Sequence, residues 1–105
     1  MKTLDEILDL ISEMNEEAHD YSWGKWEYAD ELENYAETEQ DFEAAEERRE
    51  AASEAQASYF RDLYFKLDET IQNSIRHWLD KNTEFRDEFA MFFGEEQFEN
   101  EFESD

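Results

Sequence analysis

The chain contains 105 residues, of which 32 are Asp or Glu and nine are Lys or Arg, giving a formal net charge of −23. This balance argues against direct binding to nucleic acid or to an anionic membrane, because both attract lysine and arginine and repel carboxylates. The absence of cysteine and the presence of only two glycines exclude disulfide scaffolds, thiol catalysis and glycine-rich phosphate-binding loops.

The start of the chain has no basic region followed by an uninterrupted apolar run, and no apolar run approaches about 18 residues. The sequence therefore predicts neither a signal peptide nor a membrane span, and we expect a cytoplasmic protein. Nine Phe, five Tyr and three Trp indicate a folded core, since disordered acidic chains are poor in aromatic residues. With valine and proline absent and isoleucine scarce, we predict an all-α fold, a small bundle of three to four helices that includes one long helix or a helical hairpin.

The first predicted helix begins at Thr3, which starts a capping box with Glu6. Apolar side chains then recur at steps of three and four residues: Leu4, Ile7, Leu8, Ile11, Met14 and Ala18. The pattern weakens near Gly24, which we predict as the C-cap of this helix. Acidic residues occupy the opposite face.

Residues 25–57 lack glycine and proline and are rich in Ala and Glu, so helix propensity is high throughout. Large apolar residues are missing from 46–57, which predicts either a solvated helix or a connection, with Ser53 and Ser58 as possible N-caps. The sequence leaves open whether residues 25–80 form one rod or a hairpin.

The clearest apolar face belongs to the next segment, residues 58–82. Its members are Phe60, Leu63, Tyr64, Leu67, Ile71, Ile75, Trp78 and Leu79. This spacing predicts a single buried central helix. A new N-cap at 81–83 and the only other glycine, Gly94, predict a short fourth helix. We therefore expect one helical domain over 1–94 and an acidic C-terminal tail over 95–105.

The charge is unevenly distributed along the chain. Residues 1–24, 25–57, 58–82 and 83–105 carry net charges of −6, −9, 0 and −8. Within 25–57, acids meet acids at i,i+4 at positions 27/31, 33/37, 37/41, 39/43, 43/47, 46/50 and 50/54. Each such pair destabilises a helix by about 0.2–0.5 kcal/mol. A rod about 50 Å long with this net charge would carry one charge per roughly 2.2 Å, close to the one per about 1.7 Å of duplex DNA.

The runs EYADELENYAETEQDFEAAEERRE (27–50) and EEQFENEFESD (95–105) carry a resemblance to a known class. In composition and layout the chain resembles the acidic DNA-mimic anti-defence proteins of phages and mobile elements, such as Ocr-type antirestriction and anti-CRISPR proteins. The resemblance implies an inhibitor, active in the host bacterial cell, that occupies the basic DNA-binding groove of a restriction-modification enzyme or a CRISPR effector. These proteins share no sequence motif, so no individual residue role is transferred.

From the charge pattern we predict a set of partner-binding carboxylates. They are Glu33, Glu37, Asp41, Glu43, Glu46, Glu47, Glu50, Glu54, Glu95 and Glu96. Two alternatives stay open. In the first, the acidic run is only a solubilising face. In the second, the protein is an acidic helical adaptor or assembly protein that binds a partner through its aromatic face, with a homodimer as one form.

Other constellations favour ordinary structural roles. Glu16 and His19 have the Glu-x-x-His spacing of carboxylate-bridged metal sites, but His77 has no acid three residues before it, so we expect no metal, no cofactor and no catalytic residue. Glu46 and Arg49 are predicted to form a local ion pair. The aromatic residues 21, 23, 26 and 28, which surround Gly24, are predicted to pack at a corner between two helices.

Overall fold

The computed structural model describes residues 1–103, and within them the chain is helical with no strand. The elements are α1 (Leu4–Asn34), α2 (Glu39–Phe65), α3 (Glu69–Lys81), α4 (Thr83–Phe93), α5 (Glu95–Phe98) and a π-helical turn (Glu99–Glu103). The predicted all-α bundle with a helical hairpin is confirmed. The molecule measures 52 × 28 × 21 Å, because the two long helices extend beyond the rest of the bundle.

The first helix is longer than predicted. It begins at the expected capping box of Thr3 and Glu6 but runs through Gly24 and ends at Asn34. The C-cap assigned to Gly24 was therefore wrong. A single glycine weakens a helix by only about 1 kcal/mol relative to alanine, and the buried Ala29 continues the face formed by Ile11 and Ala18.

A turn at residues 35–38 separates α1 from α2 and makes the hairpin. Thr38 caps α2: its hydroxyl accepts from the Asp41 backbone N–H, while the Asp41 carboxylate accepts from the Thr38 N–H. Ser53 and Ser58 lie inside α2, so neither is an N-cap. The sequence left open whether residues 25–80 form one rod or a hairpin, and the structure shows a hairpin whose turn lies at 35–38, with residues 46–57 inside α2.

The predicted central helix over 58–82 is also two helices. The chain breaks at residues 66–68, where the Gln72 side-chain amide donates to the carbonyl oxygens of Tyr64 and Leu67 at 3.1 Å. These contacts add side-chain hydrogen bonds to carbonyl groups at the end of α2 and in the connection that follows it, where i,i+4 helical donors are missing. The break folds Ile75 of α3 back onto the same core as Phe60 of α2, which a straight helix would not allow.

The core is dominated by aromatic rings from α2, α4 and the C-terminal segment. Its members are Ile7, Ile11, Met14, Ala18, Phe60, Tyr64, Ile75, Leu79, Phe85, Phe89, Phe93 and Phe98. The Tyr64 ring lies edge-on to the rings of Phe89, Phe93 and Phe102 at 5.7–5.9 Å. This geometry is favourable for aromatic pairs, so large rings supply most of the apolar packing in a chain with few aliphatic side chains.

The short fourth helix is confirmed. Asn82 caps α4 by accepting from the Phe85 N–H at 2.9 Å, and the helix ends at Gly94, which has a φ of 97°. In the segment predicted as an acidic tail, Phe98 is only 3% exposed and belongs to the core. Residues 104 and 105 of that segment lie outside the described residues.

Candidate protein-binding surface

Six glutamates form one stripe on α2, here named the α2 stripe. Its members are Glu39, Glu43, Glu46, Glu47, Glu50 and Glu54, all exposed. At 3.6 residues per turn they fall within an arc of about 100°. The residues that α2 buries against α1, Ala45 and Ala52, lie on the opposite side of the helix. The stripe therefore faces away from α1, and it extends over about 22 Å along α2.

A second stripe lies on the outer face of α1, here named the α1 stripe. It consists of Asp5, Asp9, Glu13, Glu16, Asp20, Glu27 and Glu31, again all exposed. It lies opposite the buried Ile7, Ile11 and Ala18. None of these residues was among the predicted partner-binding carboxylates, although acids at 5/9, 9/13, 16/20 and 27/31 repeat at i,i+4 in the sequence and were a usable signal.

Small side chains between the two helices hold the stripes at a fixed separation. Ala18, Ser22 and Ala29 of α1 and Ala45 and Ala52 of α2 are buried, which allows a close helix–helix approach of about 8–10 Å between axes. Adding the side-chain radius of each helix places the two outer faces about 20 Å apart. The hairpin thus carries two roughly parallel rows of carboxylates on opposite sides of a narrow rod.

The predicted binding residues have several local roles in this rod. Glu33 and Asp30 of α1 both pair with Arg49 of α2, so Arg49 crosses between the helices and the predicted local pair with Glu46 is not what holds it. Glu54 pairs with Arg61 at 2.6 Å.

Glu37 and Asp41 lie at the hairpin turn. Backbone N–H groups of Glu37 and Thr38 donate to the Asp41 carboxylate at 3.2 and 3.3 Å. These hydrogen bonds, with a further one from the Thr38 side chain, lower the pKa of Asp41 below its ordinary value. The carboxylate is committed to capping α2, so it contributes to the fold as well as to the surface charge.

Five of the seven like-charge pairs expected from the sequence lie within helices. The pair 27/31 is in α1, and 39/43, 43/47, 46/50 and 50/54 are in α2, whereas 33/37 and 37/41 span the turn and lack helical geometry. Four of the seven expected pairs therefore lie on the α2 stripe, and the pairs 5/9, 9/13, 16/20 and 27/31 add like-charge repulsion on the α1 stripe.

The remaining predicted residues, Glu95 and Glu96, lie exposed in the first turn of α5. Glu95 and Glu54 line the same cleft, of about 520 Å³, whose wall includes Trp26 and Phe92. The structure thus brings Glu95 close to Glu54, at the bundle end of the α2 stripe.

The aromatic residues around Gly24 do not form a corner, because α1 is continuous there. Trp26 is partly buried and donates from its indole N–H to Gln56 at 3.0 Å, but Tyr21, Trp23 and Tyr28 are exposed. The predicted corner was therefore wrong, and of the four residues only Trp26 is partly buried. His19 lies within α1 against the Trp23 ring.

Among residues 1–103 there is no group of three or more His, Asp or Glu side chains placed to hold a metal ion. No helix in this part of the chain is both long and apolar enough to cross a bilayer. No protein-family model, curated protein or solved structure matches the chain. Any inference about function therefore depends on the charged and aromatic surfaces described above.

Proposed function

We propose that this protein is a DNA mimic, an inhibitor that occupies the basic DNA-binding groove of another protein, such as a restriction-modification enzyme or a CRISPR effector in a bacterial host cell. The observation that carries the proposal is the α2 stripe: six carboxylates on one outward face of a helix, next to one another and with four repulsive i,i+4 pairs. An ordinary solvated helix mixes its charges, because mixing is stabilising.

The spacing of the stripe supports this proposal. Six carboxylates over about 22 Å lie roughly 4.5 Å apart along the axis, against about 3.4 Å for the phosphates of one DNA strand. The described residues carry 31 acids and nine bases, a formal net charge of −22, over the 52 Å length of the molecule. That is one charge per roughly 2.4 Å, compared with about 1.7 Å for the duplex.

The position of the two acidic stripes on opposite sides of the hairpin also supports the proposal of DNA mimicry. Duplex DNA offers a groove-binding protein two rows of negative charge, and the hairpin offers the α1 and α2 stripes about 20 Å apart. Lysine and arginine side chains lining a DNA-binding groove would be attracted to both rows. Such attraction accelerates association and weakens steeply as salt is added.

The test is capture from a bacterial lysate at low salt on the immobilised protein, with duplex DNA as competitor. We expect a DNA-binding protein that excess DNA and added salt both displace. With that protein purified, the chain should inhibit its binding to DNA. Capture of only partners that DNA does not displace would contradict the proposal.

Two variants of equal charge separate the stripe from overall acidity. E43Q/E46Q/E47Q/E50Q neutralises the centre of the α2 stripe, and D62N/D80N/D87N/E99Q neutralises four exposed carboxylates elsewhere; both have a net charge of −19. We expect the first to lose at least about tenfold in inhibition and the second to lose little. Equal losses would mean that only net charge matters. Asp41 is left unchanged in both because it caps α2.

One observation favours a second function, an adaptor that binds through its aromatic face. Tyr21, Trp23 and Tyr28 are exposed on α1, and exposed aromatic residues are typical anchors at protein interfaces. In that case the captured partner would resist both salt and DNA, and aromatic substitutions would abolish binding while the stripe variant would not.

A further inference from the structure

Three tyrosines stand at seven-residue intervals: Tyr21 and Tyr28 within α1, and Tyr35 at its C-cap. They are 67%, 48% and 79% exposed. Two contacts place the first two above the seam between the long helices, since the Tyr21 ring stacks on Tyr59 of α2 at 4.4 Å and Arg48 of α2 lies 5.4 Å from the centre of the Tyr28 ring. A seven-residue step is almost two helical turns, so Tyr35 continues the same side. We name this surface the tyrosine flank.

The tyrosine flank is the open side of the hairpin. The opposite side carries Trp26 and Gln56, which share a cleft with Met91 and Phe92 of α4, so the rest of the bundle covers it. On α2 the flank meets Arg48 and Tyr59, and beside them lie the small residues Ala44, Ala51 and Ala55, which are exposed or partly exposed. The rings therefore project from a shallow surface about 21 Å long.

Acidic residues border the flank along both edges. The α1 stripe follows one edge, and Glu43, Glu47 and Glu54 of the α2 stripe follow the other, as their positions around each helix require. A second copy of this chain would bring two more acidic rows against these, and like charges in apposition are strongly unfavourable. The charge thus selects a cationic occupant over a homodimer.

The chemistry of the rings narrows the occupant further. Arginine stacks its planar guanidinium on aromatic faces, whereas lysine is a compact and strongly hydrated charge. The molecule already shows this contact in Arg48 over Tyr28. Arginine is also, with lysine, one of the two side chains that contact O6 and N7 of guanine, the commonest specific contact of DNA-binding proteins.

We propose that the tyrosine flank binds arginine side chains of the partner, with the acidic stripes holding its surrounding basic residues. The inference builds on the proposed DNA mimicry, in which the flank corresponds to the floor of a groove between two charged rows. It adds ring stacking, which favours the planar guanidinium, to the charge attraction that carboxylates exert on both lysine and arginine.

The test uses two synthetic peptides of equal charge, octa-arginine and octa-lysine, titrated into the intact protein by calorimetry at several salt concentrations. We expect octa-arginine to bind about tenfold more tightly than octa-lysine, from cation–π contacts at up to three exposed rings. Y21A/Y28A/Y35A should lose this preference, and Y21F/Y28F/Y35F, which keeps the rings, should retain it. Circular dichroism of each variant confirms that helix content is unchanged.

Several results would overturn the inference. They are equal affinity of the wild-type protein for the two peptides, equal behaviour of the alanine and phenylalanine variants, and a dimer in sedimentation that the alanine variant loses. Failure of the DNA mimicry looks different. In that case the arginine preference would persist, while DNA would not displace the captured partner and the wild-type protein would not inhibit the partner's binding to DNA.

Discussion

At the residue scale, the two glycines of the chain occupy opposite environments. Gly24 lies within α1, and a Cβ atom added there would meet nothing within 4 Å. Gly94 has a φ of 97°, and its added Cβ would lie 2.9 Å from Nη1 of Arg61, a side chain that donates to the Phe93 carbonyl at 2.7 Å.

We predict that Gly24→Ala raises the free energy of unfolding by about 1 kcal/mol, because alanine removes the entropic penalty of glycine in a helix. Gly94→Ala should lower it by at least a similar amount, because alanine is strained at positive φ. Urea denaturation followed by circular dichroism measures both. A loss of stability for Gly24→Ala would show that α1 does not run through residue 24.

At the element scale, the capping box at Thr38 fixes where α2 begins, and its contribution depends on pH. The folded-state pKa of Asp41 is lowered by hydrogen bonds to the ionised carboxylate. Its stabilising contribution is therefore fully present above the unfolded-state pKa of 3.8 and is lost as the pH falls through the lower folded-state value.

We predict that Asp41→Asn destabilises the protein at pH 6 and that the difference from wild type shrinks below about pH 4. Denaturation curves at pH 6, 4 and 3 give the two free energies. A difference that stays constant over this range would mean that the Asp41 charge has no part in the cap.

The C-terminal segment is a second element whose role can be measured. Phe98 is almost fully buried, and its ring lies near those of Phe89, Phe93 and Phe102. We predict that Phe98→Ala lowers the free energy of unfolding by about 3 kcal/mol or more, as for other buried phenylalanines. Phe42→Ala is the control, because Phe42 is exposed on the hairpin, and should cost much less. Similar losses for both would show that the C-terminal segment does not dock.

The sequence predicts helix content and some helix ends correctly, and the reasons for its failures differ. Asn82 and Gly94 are local signals and were correctly predicted. The turn at 35–38 also has a local signal, the Thr38–Asp41 capping box, which the high helix propensity around it obscured. The break at 66–68 has neither glycine nor proline, and its one local signal is Asp68 at the N-cap of α3. Because Phe60, Tyr64, Ile71 and Ile75 keep one helical phase across the break, the pattern of apolar residues gives no sign of it.

At the scale of the whole molecule, the carboxylates divide into those that a sequence can locate and those that need the fold. The i,i+4 repeats of Glu39–Glu54 are visible in the chain, but the position of the α1 stripe opposite them depends on the hairpin turn. The tyrosine flank is still harder to locate from the sequence, because Tyr21, Tyr28 and Tyr35 form one surface only if α1 continues through Gly24.

The large negative net charge leads to a prediction about how stability depends on salt. Four repulsive pairs on α2, at about 0.2–0.5 kcal/mol each, cost the fold about 1–2 kcal/mol at low salt. Salt shortens the screening length from about 30 Å at 0.01 M to about 10 Å at 0.1 M, so the melting temperature should rise with sodium chloride over this range. A protein stabilised chiefly by surface ion pairs would show the opposite trend.

The E43Q/E46Q/E47Q/E50Q variant removes all four pairs. At 0.01 M sodium chloride it should exceed the wild-type free energy of unfolding by about 1–2 kcal/mol, with a smaller dependence on salt. D62N/D80N/D87N/E99Q, with the same net charge, should gain less, because its substitutions lie outside the stripe. Equal gains in the free energy of unfolding would show that the repulsion comes from total charge and not from the α2 stripe. A larger gain for the stripe variant, together with its loss of inhibition, would show that the protein gives up stability to keep the surface that its partner binds, a trade-off common at functional sites.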